Sequence, residues 1–276
     1  MLGLEDRMWR DSRAAGVAYT AVGVAVGAVA GGVARSTAIT TYVAVAGRLL
    51  HHTALDIAAA LDAGDVESAR ALLPALAGRD PSGLDQAEMA RAVVESVAEN
   101  TVDAIVAPAL WAAALGGAGA LGYRAVNTLD AMVGHHSDRY EHFGWASARL
   151  DDAAGWLPAR ATAALVAAVR PATASRVWRT VRRDARGHPS PNSGVAEAAF
   201  AAALGVRLGG TNRYGARIEH RPALGAGRPP VTADVHHAVR LSRDVSLALA
   251  ATLAATSFRG SSRATRASRG RRPGGR

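Results

Sequence analysis

Arg91, Glu95, Glu99 and Asp103 stand four residues apart, so a helix through them carries one guanidinium and three carboxylates along one face. That face is net negative, Asn100 lies beside it, and the chain then enters an uncharged run from Ala104 to Tyr123. Acids held against an apolar boundary are costly unless they are paired or bound to a cation. The spacing therefore admits two readings. One is a site for a divalent metal or a polar substrate; the other is a salt-bridged helix face, which is the commoner outcome. A second group follows downstream: Asn127, Asp130, Arg139, Tyr140, Ser147, Arg149, Asp151 and Asp152. Carboxylates, guanidinium groups and amides in that mixture suit Mg2+ and phosphate chemistry. The alternative is a hydrated loop whose polar groups satisfy its own turns. His188, just before Pro189-Ser190-Pro191-Asn192, is a third candidate.

Composition removes several chemistries. Every basic residue is Arg and there is no Lys, so a phosphate loop of the form G-x-x-x-x-G-K-S/T is excluded. Phosphate would have to be held by Arg, backbone N–H groups or a metal. The chain has no Cys, which removes disulfides, thiolate metal sites and Cys nucleophiles. The run from Gly117 to Gly122 fits G-x-G-x-x-G, but no strand signal precedes it and its surroundings are helical and apolar, so it reads as a kinked or ended helix. The adjacent pairs His51-His52, His135-His136 and His236-His237 point apart on a helix and do not chelate together. Net charge is +9; seven arginines and no acid lie in 259–276, so the body carries about +2 (9 minus 7). The body is not a basic nucleic-acid platform. The Gly-, Ser- and Arg-rich segment 259–276 reads as a disordered tail, solvated or touching lipid headgroups, and no nucleic-acid partner is expected.

These side chains must be carried by an α-rich scaffold, because Ala, Val and Leu dominate and strong strand formers are sparse. Ala14 to Ala34 is uncharged and long enough to cross a hydrocarbon core of about 30 Å. Within it Gly23, Gly27 and Gly31 form a smooth stripe that a neighbouring backbone can approach closely. Ser36 to Gly47 is a shorter uncharged run. Arg48 to Leu76 reads as one or two amphipathic helices broken near Ala63-Gly64. Asp85 and Glu88 form a capping-box pattern, which predicts a helix from about Gln86 to Asp103. Ala104 to Tyr123 is a second candidate span, interrupted by Pro108 and Gly116-Gly117. Arg124 to Arg160 reads as a long functional loop with short helices, in which Trp145 and Trp156 pack or anchor at an interface. An Ala-rich helix is expected from Gly194 to Leu208, ended by Gly209-Gly210. Loop follows over 213–232, then helix from Ala233 to Phe258.

Three long blocks resemble one family. They are ESVAENTVDAIVAPALWAAALGG (Glu95 to Gly117), YRAVNTLDAMVGHHSDRYEHFGWASARLDDAAGWLPARATA (Tyr123 to Ala163) and RRDARGHPSPNSGVAEAAFAAALGVRLGGTNRYG (Arg182 to Gly215). In order and spacing they are similar to the adenosylcobinamide-phosphate synthases, the CobD/CbiB family of cobalamin biosynthesis, and they cover more than half of the chain. The resemblance implies an all-α, multi-pass helical membrane protein with polar loops forming the site. It implies one membrane-embedded domain over 1–258, located in the cell membrane with its site facing the cytoplasm. The implied reaction is amide formation between adenosylcobyric acid and an aminopropanol or ethanolamine phosphate, with ATP and Mg2+ expected and the corrinoid as substrate. Lipid and other enzymes of the pathway are the implied partners.

Residue chemistry within those blocks then distributes roles. Glu95, Glu99, Asp103 and Asp130 are the expected catalytic acids, and Asp151 and Asp152 the expected metal ligands. Arg139, Arg149, Arg160 and Arg183 are the expected phosphate clamps. Asn100, Asn127, His188 and Asn192 are expected to bind the corrin side chains or the aminoalcohol phosphate. The sequence departs from the family at its start. Family members begin with an earlier apolar helix, then an acidic Gly-Asp-Pro and a His-Pro-Val segment, whereas Met1-Leu2-Gly3 here leads directly to Glu5-Asp6-Arg7, so that opening region is expected to be missing. Val195 stands where a bulkier residue is common. Three rival readings remain: a non-catalytic membrane or transport component of the same pathway, a soluble Ala-rich helical protein with a basic nucleic-acid-binding tail, and a soluble Rossmann-type enzyme, which the lack of strand signals disfavours.

Overall fold

The helix that carries the acidic face begins where the capping box places it. In the computed structural model, which describes residues 2–135, 137–214 and 217–269, the Asp85 side chain accepts from the Glu88 N–H, and the Glu88 side chain accepts from the Asp85 N–H. Preceding elements are α1 (Leu2–Met8), α2 (Arg13–Val33), α3 (Thr37–Ala44), α4 (Gly47–Asp62) and α5 (Val66–Leu72). The capped helix is α6 (Gln86–Thr101), and α7 (Ala107–Leu129) continues it after a π-helical turn over Val102–Val106. A second π turn, Asp130–Gly134, ends α7. Such turns insert a wider step into a helix and recur at functional sites. Here each begins at or beside a candidate acid, Asp103 and Asp130. Pro108 sits in the first turn of α7, where its missing N–H costs nothing. Gly116 breaks the helix with φ 63°, so the glycine run is the kink its sequence implied.

The glycine stripe of α2 does what its spacing predicts. A Cβ on Gly31 would collide with the Gly117 carbonyl of α7, and one on Gly27 would lie 2.7 Å from the Leu121 carbonyl. Val17, Val22, Val26, Val29 and Val33 stay exposed on the other side of α2. By length and composition, Arg13–Val33 and the continuous helix Gln86–Gly134 can cross a membrane.

The region read as a long loop, 124–160, is mostly helix. α7 runs through Arg124 and Asn127, and α8 spans Trp145–Val169 with the buried Pro158 inside it. Asn127, Ser147, Arg149, Asp151 and Asp152, which looked loop-like, project from helix faces, whereas Arg139 and Tyr140 lie in the turn before α8. α9 (Ala174–Asp184) and α10 (Ser193–Leu204) follow, and α10 ends at Gly205 in the left-handed conformation, before the predicted Gly209-Gly210.

The all-α expectation is corrected at one place. β1 (Leu208–Tyr214) and β2 (Arg217–Leu224) form an antiparallel hairpin, with Asn212 opposite Glu219 and an irregularity between Leu208 and Gly210. Gly209 and Gly210 adopt positive φ inside it, which suits a bulged strand. α11 (Thr232–Arg269) continues past Phe258 through part of the expected tail; no proline interrupts it there. Residues 270–276 of that tail, and His136, lie outside the described residues. The main apolar core joins α4, α6, α8, α10 and α11, with Ile57, Leu61, Met89, Phe200 and Leu241 fully enclosed. A smaller cluster of Tyr19, Leu129, Val133 and Phe143 holds α2 against the end of α7.

Candidate functional site

At its N-terminal end the acidic face of α6 is fully paired. Glu95 is 1% exposed. Its carboxylate accepts from Arg79 at 2.7 Å, Arg91 at 3.1 Å and the Gly209 N–H at 2.8 Å. Asn212 Oδ1 accepts from the same two guanidinium groups, at 2.8 and 3.1 Å. Glu95 therefore anchors the hairpin to α6 through charge-assisted bonds. Of the two readings that spacing allowed, the salt-bridged face is the one realised here.

One turn further along, the partners change. Among the described residues, Glu99 accepts only from the Ser193 hydroxyl, at 2.7 Å. Asp103 accepts from the Tyr123 hydroxyl and the Asn127 amide, each at 3.3 Å. Asp130 and Asp151 lie within electrostatic reach of Glu99 and of Asp152. Burial pushes the Asp151 carboxyl up to about 7; the neighbouring Asp130 charge adds to the rise, and the Asn127 amide opposes it. Asp151 Oδ1 is also buried with no hydrogen-bond partner among the described residues. Burial raises Asp152 as well, against the pull of Arg149. The α6, α7 and α8 helices thus converge on a wall of carboxylates that amides and hydroxyls hold and no arginine bridges among the described residues.

Beside this wall lies a cavity of about 480 Å³, lined by Arg149, Asp152, Arg160, Trp178, Arg186 and His188 among others. The segment His188–Ser193 joins wall and cavity. Asn192 accepts from Arg160 at 3.0 Å and donates to the Asp152 carbonyl at 2.8 Å, while Ser193 reaches Glu99. Gly155 makes room for it: a Cβ there would lie 2.7 Å from Asn192 Nδ2.

The predicted residues separate accordingly. Glu99, Asp103, Asp130, Asp151, Asp152 and Asn127 meet at the wall; Arg149, Arg160, His188 and Asn192 meet at the cavity. Four fall elsewhere, the expected catalytic Glu95 among them, held in its structural ion pairs with Arg79 and Arg91. Arg139 stacks over Trp9 and Tyr140 and lies 3.5 Å from Glu5, at the α1 end of the molecule. Arg183 pairs with Asp184 and faces a different cavity with Arg176 and Arg179. Asn100 donates to Ser96 on another side of α6. Trp145 and Trp156 are exposed, with Arg13 and Arg160 over their rings.

Sequence reasoning passed over Arg79, Arg186, Ser193, Glu197, Asn212 and Arg221. A signal existed for Glu197: it is the single charge in a run of Ala, Val and Phe, a costly place for a carboxylate.

An all-oxygen donor set suits Mg2+, which takes one or two carboxylates and completes its shell with water and substrate phosphates. Asp151, with its orphaned Oδ1, and Asp130 fit that requirement. Among the described residues no three acid or imidazole groups converge tightly enough to hold an ion by themselves.

Compared with known proteins, residues 3–242 match the model of the family described as CobD/Cbib protein. A protein of Mycobacterium tuberculosis named cobalamin biosynthesis protein CobD is 50% identical over 260 residues, covering 88% of this chain and 82% of its own length. Proteins of the same name match from Rhodobacter capsulatus, 48% identical over 72% of this chain and 63% of theirs, and from Geobacter metallireducens, 43% identical over 82% and 69%. No solved structure matches.

Proposed function

The chain belongs to the CobD/CbiB family of cobalamin biosynthesis, and from that premise we propose that it is an adenosylcobinamide-phosphate synthase, forming an amide between adenosylcobyric acid and an aminoalcohol phosphate at the expense of ATP, in a multi-pass membrane setting with its site facing the cytoplasm. One observation carries the reading: Asn192 and Ser193 stitch a wall of carboxylates to an arginine-lined cavity. The aminoalcohol phosphate is a cation and an anion in one small molecule. It requires acids for its ammonium and arginines for its phosphate, side by side.

In this reading Arg149, Arg160 and Arg186 bind the phosphate. Arg160 is pre-oriented for that work by Asn192 and by the Trp156 ring beneath it. Glu99 and Asp103 hold the ammonium, and one of them accepts its proton before the nitrogen attacks. ATP transfers its terminal phosphoryl group to the corrinoid carboxylate and leaves as ADP; the new C–N bond then forms as the acyl C–O bond breaks, and that oxygen departs in inorganic phosphate. Asp130 and Asp151 would hold Mg2+, which neutralises phosphate charge when bound. Enclosure between α6, α7 and α8 limits hydrolysis of the activated carboxylate by water.

Purified protein in detergent, given adenosylcobyric acid, aminopropanol phosphate, ATP and Mg2+, is expected to release adenosylcobinamide phosphate. Corrinoid binding without any amide product would favour the non-catalytic pathway component instead.

A further inference from the structure

Glu197 is buried in the middle of α10, with 0% exposure, and among the described residues neither of its carboxyl oxygens has a hydrogen-bond partner. Its neighbours in α10 are Ala, Val, Gly and Phe, so nothing in the packing calls for a carboxyl there. A buried carboxyl without a hydrogen bond is costly, so its presence needs a cause. The groups facing it are Glu95 and Glu99 from α6, Arg79 from the turn before α6, Arg221 from β2 and His188 from the segment before α10. Two of them are close: His188 Nε2 at 3.6 Å and Arg221 Nη1 at 3.8 Å from Glu197 Oε1. His188 Nε2 is itself buried without a partner.

Burial, with the Glu95 and Glu99 charges adding to it, pushes Glu197 well above the usual carboxylate range. Burial likewise lowers His188, against its backbone contact with Ser190. The Glu197 carboxyl and the His188 imidazole face each other across a gap that a shift of about half an ångström would close into one hydrogen bond. The other ring nitrogen, Nδ1, is 3.1 Å from both the N–H and the carbonyl of Ser190. Ser190 in turn takes the Asn192 and Ser193 N–H groups on its hydroxyl, at 3.2 and 3.1 Å. Gly194 lets the start of α10 close on His188, since a Cβ there would collide with the His188 Cβ.

We infer that Glu197 is a positioning residue: acting through His188, it fixes the segment His188–Ser193, and with it the Asn192 amide on Arg160 and the Ser193 hydroxyl on Glu99. The inference rests on the reaction proposed above, because those two contacts matter only if wall and cavity serve one substrate.

The test compares Glu197→Ala, Glu197→Gln, His188→Ala and the Glu197/His188 double alanine variant of the full chain in detergent. Two readouts are used: hydrogen exchange of residues 188–193, and the kinetics of amide formation over about pH 6 to about pH 9. In Glu197→Ala, exchange of the segment is expected to quicken about tenfold, and KM for aminopropanol phosphate to rise by a similar factor. Glu197→Gln keeps the shape and a donor but cannot ionise. It is expected to stay within about threefold of the parent near neutrality and to hold its rate at alkaline pH, where the parent declines. The double variant is expected to be no worse than the poorer single one, because the two residues act as one unit.

Unchanged exchange and KM in both alanine variants would overturn the inference. So would a Gln variant as impaired as Ala at every pH with the segment still protected, or losses that multiply in the double variant. Should Glu197→Ala fail to fold, His188→Ala and Glu197→Gln decide the matter by the same criteria. Exchange needs no substrate, so a parent protein that makes no amide would sink the proposed reaction while leaving the Glu197–segment link to be judged separately.

Discussion

Glu95 and Asp103 share one face of one continuous helix, yet they live in opposite electrostatic settings. Around Glu95 two arginines and a backbone N–H satisfy the carboxylate completely. Around Asp103 the partners are a phenol and an amide, and further carboxylates stand nearby. A buried charge that is fully paired holds a structure in register; carboxylates that no arginine bridges among the described residues are the candidates for chemistry. The first end anchors the β1–β2 hairpin, and the second faces the cavity through Asn192 and Ser193. Function is therefore assigned to the end the fold leaves unneutralised.

Six substitutions would break or sharpen that contrast. The largest effect is expected at the paired end: Glu95→Ala strands two buried guanidinium groups, and the loss in unfolding free energy should be about 3–5 kcal/mol. Denaturant unfolding measures it, and a loss below about 1 kcal/mol would mean that the pairing is not structural. At the open end, Glu99→Gln or Asp103→Asn should lower amide formation about a hundredfold without lowering the unfolding midpoint. If activity survived either change, that carboxylate would leave the site.

Arg160→Ala should raise KM for the aminoalcohol phosphate about tenfold, whereas Arg183→Ala, at the other cavity, should change it less than about twofold. Equal effects of the two would erase the division between the cavities.

The smallest effect concerns stability against pH. Asp151 has a folded pKa of about 7, above its ordinary value near 3.9. Between about pH 4 and about pH 7 the folded state therefore binds more protons than the unfolded one, and stability falls as pH rises through that window. Asp151→Asn cannot ionise. It should be more stable than the parent at pH 8, read as a higher Tm, with the advantage gone near pH 4, while its activity drops. A parent with a flat stability profile across that window would remove the burial argument for Asp151.

Much of this was legible beforehand, and for local reasons. The capping box at Asp85 and Glu88, the break at Gly64, the glycine stripe of α2 and the kink at Gly116 follow from interactions within a few residues or from a side chain's absence. The hairpin was missed because Gly-Gly-Thr-Asn-Arg is a poor strand former, and β1 is held by Glu95 and its arginines, distant in sequence. α8 was missed because its acids and arginines face the site and so mimic the composition of a loop.

The sequence by itself determined the family, the helical scaffold and the set of residue types on hand for chemistry. Which acids meet arginines, and which meet only one another, was decided by the tertiary structure. Pairing depends on distances between chain segments far apart in sequence. Arg79 reaches Glu95 across a turn, Asn192 reaches Arg160 between helices, and Glu197 finds His188 only once α10 has closed on the segment before it. Identical four-residue spacing therefore yields a structural ion pair at one end of α6 and an unneutralised wall at the other.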